Sequence, residues 1–169
     1  MLSRTIAIID LIADWTGTLI APLTLIMTLV TVGVVVARYG FGIGAIPLQE
    51  AVMYMHAIVF MLGIGYTLKT EGHVRVDIVY QKLSRRGQAI VDLLGTLCFL
   101  FPVAAFTFWT SLDYVALSWR MGEGSAEPGG LPGIYLLKTL IPAMAALLAI
   151  QGLAEMLRAG QRIIDDRAT

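Results

Sequence analysis

Apolar residues run along this chain in four long stretches, separated by shorter segments where charge, glycine and proline collect. Crossing a hydrocarbon core of about 30 Å takes roughly 20 apolar residues, and every backbone polar group within it must bond inside the helix. The first stretch, Trp15 to Ala37, carries no charge, and the second, Ala51 to Leu68, contains His56 as its one group titrating near neutrality. The third runs from Leu93 to Leu112 and the fourth from about Tyr135 to Ala154, with Lys138 near its outer end, where a long side chain can snorkel outward. Pro22, Pro102 and Pro142 lie inside three of these runs, as membrane helices tolerate, and predict kinks or local unwinding. The pattern predicts an all-α integral membrane protein with four transmembrane helices in a single domain over residues 1–169.

A different period governs the connection between the second and third spans. Val76, Val79, Tyr80 and Leu83, then Gly87, Ile90 and Val91, recur at helical intervals, while Arg75, Asp77, Lys82, Arg85 and Arg86 fall between them. Ser84 is placed to cap a helix N-terminus and Gly87 weakens propagation, so a break is expected near Ser84–Gly87. This predicts a short amphipathic helix along the inner surface before the third span. The alternative is a third span that begins early and projects inward.

Composition agrees with a bilayer as solvent: 57% of the 169 residues are hydrophobic and 14% charged. The formal net charge is zero, which argues against nucleic acid as a partner. The distribution of charge is more informative. Arg4, Lys69, Arg75, Lys82, Arg85, Arg86, Arg158, Arg162 and Arg167 fall on one side of the four spans, and Arg38, Arg120 and Lys138 on the other. The excess places both termini in the cytoplasm. Asp10 and Asp14 interrupt the N-terminal segment, and the run from Trp15 is too long for a signal h-region, so it is read as a retained helix.

Candidate chemistry is sparse. Cys98 stands alone in an apolar run, which removes internal disulfides, CxxC pairs and cysteine metal clusters. Arg38 and Glu50 flank the first outer connection, RYGFGIGAIPLQE. Either they pair, clasping the ends of two helices or reaching a partner, or both face the outer headgroups. His56 lies six residues past Glu50, roughly 9 Å deeper at the helical rise, and is expected as a neutral, hydrogen-bonded histidine inside the bundle. A proton relay needs successive titratable groups, and a haem needs facing axial ligands; His73, the other histidine, belongs to the inner loop. Nucleotide-binding glycine motifs and nucleophile–base patterns are missing too, so the chain is not read as an enzyme and no cofactor is expected in it.

The segments ARYGF, LQEAVMY, TEGHVRVDIVYQKL, EGSAEPGGLPGIYLLKTLIP and LLAIQGLAE together resemble the small membrane subunit of tripartite ATP-independent periplasmic (TRAP) transporters, over most of the chain. One departure is Gln49 before Glu50, where many relatives carry a second acid. The resemblance implies a bacterial inner-membrane location and three kinds of partner: a large membrane subunit holding the substrate and sodium sites, a periplasmic substrate-binding protein, and lipid. The small subunit would brace the large one's static scaffold while sodium drives uptake of an organic acid. The PGGLP region resembles the branch associated with 2-oxo acids, related monocarboxylates, or mannitol and chloroaromatic compounds. Arg120, Glu123 and Glu127 are candidates for contact with the periplasmic protein. Two other readings compete: an independent homo-oligomeric small exporter, which needs a membrane-embedded carboxylate, and a four-helix membrane oxidoreductase, which needs haem or reactive thiols.

Overall fold

A computed structural model describes residues 2–73 and 77–165 of the chain, and among these every regular element is helical. Helix α1 (Leu2–Phe41) is continuous through Pro22. Its 40 residues span about 60 Å, twice a hydrocarbon core, so the charged turns around Asp10 and Asp14 extend the first apolar run rather than interrupt it. Helix α2 (Ile46–Leu62) opens with Pro47 in its first turn, where a missing N–H costs nothing, and a hitch at Gly63 separates it from α3 (Ile64–Lys69).

The inner connection divides the sequence expectation. Val76 lies outside the described residues, and Val79 and Tyr80 belong to a single helical turn, α4 (Asp77–Tyr80), which passes through a turn at Leu83. Ser84 does cap the next helix, its hydroxyl accepting from Gly87 N at 3.2 Å. That helix, α5 (Arg85–Gly95), continues without interruption into the third span, as the alternative reading required.

A π-helical turn over Thr96–Leu100 joins α5 to α6 (Phe101–Met121). Pro102 explains it: proline cannot donate to the carbonyl four residues back, and its ring crowds that carbonyl, so a locally widened turn relieves both. A loop with left-handed Gly122 and Gly129 leads to α7 (Ile134–Asp165).

Helices α1, α6 with its α5 extension, and α7 are long and apolar enough to cross a membrane, whereas α2 is a shorter apolar helix. Helix α7 is the hub, packing against α1, α2, α3, α5 and α6. Besides Pro142 and Gln151, its buried face is made of small residues, Ala145, Gly152, Ala154 and Ala159, which let backbones approach closely where the hydrophobic effect gives no drive between helices. At Gly152 a methyl group would sit 2.5 Å from Leu100 Cδ2, so the π-turn rests directly on α7.

Candidate functional site

Polar contacts collect at the two ends of the bundle. At the end of the bundle where α1 begins and α7 finishes, which the sequence expectation makes the inner one, the guanidinium of Arg158 (α7) is shared between two acids: Nη2 donates to both carboxylate oxygens of Asp10 (α1) and Nη1 to Glu155. Gln151, one turn before Glu155 and almost wholly buried, donates to Asp10 Oδ1 at 3.4 Å and to Glu155 Oε1 at 3.2 Å. Lys69, at the end of α3, reaches Asp14 Oδ1 at 2.5 Å and the Asp10 carbonyl at 3.5 Å. Arg162 approaches Asp92 at 3.7 Å, and Asp92 accepts from the Tyr80 hydroxyl at 2.8 Å. The first helix, the last helix and the end of the α2–α3 rod are thereby tied together.

At the opposite end, the expected outer one, one carboxylate organises a loop. Glu50, in the second turn of α2, accepts from the Ser125 hydroxyl and, at 2.5 Å, from the backbone N–H of Leu131. The loop closes on itself through Ser125 N to Leu131 O at 3.1 Å, Gly130 N to Glu127 O at 3.0 Å and an isolated bridge between Gly124 and Pro132. Gly130 must lack a side chain: a Cβ there would lie 2.3 Å from Ser125 Oγ and 2.7 Å from Glu50 Oε1. The EGSAEPGGLPG segment is therefore a receptor for Glu50, built from one hydroxyl, one amide and one bare glycine.

This corrects the expected Arg38–Glu50 clasp. Glu50 clasps, but its partner is the loop before α7, and Arg38 forms no ion pair among the described residues. Instead Arg38 lines an open groove of about 300 Å³ with Thr31, Val34, Val35, Tyr39, Gln49 and Val52. His56 is corrected as well. It does not point into the bundle but lies on the exposed face of α2, stacked on Phe60 with ring centroids 6.3 Å apart.

Of the candidate outer contacts, Arg120 and Glu127 are exposed. Glu123 is engaged within the chain, bonded to Lys138 Nζ at 2.5 Å. That hydrogen bond from Lys138 holds the Glu123 carboxyl below its ordinary range. Lys138 also lies 4.0 Å from the centre of the Tyr114 ring, which accounts for a charge near the end of the fourth span. Next to it, Trp119 donates to Thr139 Oγ1 at 2.9 Å and meets Tyr135 edge-on. Among the described residues no group of three or more metal-ligating side chains forms.

Sequence reasoning missed Ser125 and Leu131 as the partners of Glu50, and Asp10, Gln151 and Arg158 as a unit. The one available signal was the crowding of Ser, Gly and Pro at 124–133 opposite an acid near the start of the second span.

Comparison with known proteins follows the same line. The profile of the family described as tripartite ATP-independent periplasmic transporters, DctQ component, matches residues 27–162. The isethionate TRAP transporter permease protein DctMQ of Oleidesulfovibrio alaskensis (strain ATCC BAA-1058 / DSM 17464 / G20) is 26% identical over 117 residues, covering 69% of this chain. Those residues are 18% of the relative's length, so the chain spans well under a quarter of it. No solved structure matches.

Proposed function

Because this chain belongs to the DctQ component family of TRAP transporters, we propose that it is the membrane subunit that braces a large transport subunit during sodium-driven, binding-protein-dependent uptake of an organic acid. The family is a transporter component rather than an enzyme family, and the protein is a multi-pass membrane protein. In the bacterial inner membrane its α2–α3 rod completes a set of four spans, with both termini in the cytoplasm, in keeping with the distribution of Lys and Arg. Substrate and sodium sites belong to the large subunit, and Arg120 and Glu127 offer the outer end a charged surface for the periplasmic protein.

The observation that carries this reading is the layering of charge. The ion pairs lie at the inner end, and the Glu50 clasp and Glu123–Lys138 bridge at the outer end. Between them the spans carry no Asp, Glu, Lys or Arg through which an ion could be handed across. Fastening both ends of a helix set gives rigidity, which suits a brace and defeats a carrier that must open alternately to each side. The size of the DctMQ relative supports a larger membrane neighbour, since the matched stretch is a minor part of a longer permease.

Co-expression with the large hydrophobic protein encoded beside this chain, followed by purification in mild detergent, is expected to yield a one-to-one complex. Vesicles holding this chain alone are expected to accumulate no solute. Uptake by the isolated chain would overturn the reading.

A further inference from the structure

The surfaces this chain turns outward are not alike. Along the π-turn and α6, Phe99, Val103, Phe106 and Trp109 are each more than half exposed, at 73%, 57%, 69% and 68%, and form an apolar stripe that ends at the exposed Asp113, one turn further toward the loop before α7. The nearby Thr110 satisfies its hydroxyl on the Phe106 carbonyl at 2.7 Å.

Helix α2 presents something else. Beyond its first turn, its exposed positions Gln49, Met53, His56 and Phe60 fall at intervals of four, three and four, a single stripe down one face. Beside the upper end of that stripe runs the groove that holds Arg38. The His56 ring rests on Phe60, and neither ring nitrogen has a hydrogen-bond partner among the described residues. A neutral imidazole carries one donor and one acceptor, and hydrocarbon satisfies neither. Arg38 alone would be content with a lipid phosphate at the outer boundary. His56 lies roughly 10 Å below the level of Gln49, measured along the helix, beyond easy reach of a headgroup.

We propose that this α1/α2 face is where the large membrane subunit seats, its helices bringing a hydrogen-bonding side chain to His56 and a carboxylate to Arg38. The proposal rests on the small-subunit reading and adds the surface through which it acts. Polar side chains facing a membrane neighbour are the usual glue between spans, and a buried carboxylate is the partner an unpaired guanidinium selects most strongly.

The test places a benzophenone amino acid at Met53 or Phe60, and in separate proteins at Phe106 or Trp109, in the full chain co-expressed with the large subunit. Irradiation is expected to link the α2 positions to the large subunit and the α6 positions to no protein. Linkage from α6 and not from α2, linkage of α2 to lipid alone, or an adduct of two copies of this chain would overturn the proposal. Pull-down of the unsubstituted chain separates the two levels. If the large subunit fails to co-purify, the small-subunit reading falls and this surface with it; if it co-purifies while Met53 and Phe60 stay unlinked, only the surface is wrong. In a second arm, Arg38→Leu with His56→Leu should lower recovery of the large subunit about tenfold, the combined effect of two interhelical polar contacts. The detergent-solubilised single chain should keep its thermal midpoint. His56→Gln, which keeps both a donor and an acceptor, should restore most of the loss contributed by that position, and full recovery by the double leucine variant would refute the proposal.

Discussion

The inner and outer ends of this bundle are fastened by opposite means. Inside, five charged side chains from α1, α3 and α7 pair with one another, Arg158 between Asp10 and Glu155 and Lys69 on Asp14, while the neutral Gln151 bridges Asp10 and Glu155. Outside, apart from the Glu123–Lys138 pair, the fastening between elements is one carboxylate, Glu50, which accepts one hydroxyl and one backbone amide in a recess that exists because Gly130 has no side chain. The inner device is redundant and tolerant of geometry, since charges attract over several ångströms. The outer one is exacting, because an amide donor and a hydroxyl donor must both meet a carboxylate that has no slack. Robustness comes from numbers at one end and from fit at the other.

The largest effect should come from Arg158→Ala, which leaves Asp10 and Glu155 facing each other and the buried Gln151 without neutralised partners. About 3 kcal/mol of stability should be lost, read as a lower thermal midpoint of the chain in detergent. Arg158→Lys, which keeps the charge but not the fork, should recover part of it. A loss no greater than for an exposed arginine would break the contrast, because the inner end would then have no keystone.

Next in size is the outer clasp. Gly130→Val should cost about 2 kcal/mol by driving a side chain into Ser125 and Glu50. Glu50→Gln, which has nearly the same volume but turns a donor toward two donors, should cost about 1–2 kcal/mol. If Gly130→Val were neutral while Glu50→Gln was not, fit would matter less than charge and the two ends would be more alike than described. Smaller still is Lys69→Met, at about 0.5 kcal/mol, because the Asp14 carboxylate is half exposed and water screens the pair.

The smallest effect is a pH dependence at the outer end. Lys138 lowers the folded-state pKa of Glu123 below its ordinary 4.5. The stabilisation is therefore fully present above that ordinary value and is lost as pH falls through the lower folded one. The difference in thermal midpoint between the native chain and Glu123→Gln should stay constant down to about pH 4.5 and shrink below it. A difference that grew on acidification would reverse the assigned sign.

Much of the architecture was legible because long apolar runs leave a chain few options in a bilayer. The Ser84 cap was legible too, since capping is local, with donor and acceptor three residues apart. The orientation of His56 was not. A membrane helix that is apolar nearly all round carries little record of which side meets protein, so depth could be read from position while direction could not. The Glu50 clasp was hidden for a different reason. Its partners lie 75 and 81 residues away, and one of them is a backbone amide, which every residue but proline possesses. Asp10 and Asp14 were visible but were read as breaks in an apolar run, because their cations arrive from the other end of α2–α3 and from the last helix. The third span's early start was among the alternatives, and what decided it was the absence of any stop between Arg85 and Met121, with Pro102 absorbed by a π-turn.

The ion pair between Asp10 and Arg158 joins residues 148 positions apart. At a synthesis rate of about 5–20 residues per second, roughly 7–30 s separate the addition of Asp10 to the growing chain from the addition of Arg158. During that interval the inner turns of α1 carry two carboxylates with no cation from the last helix. Assembly of the bundle thus has a built-in locking step: α7 fastens α1 after the spans between them have been made, and a chain cut short before Arg158 would leave Asp10 without its guanidinium.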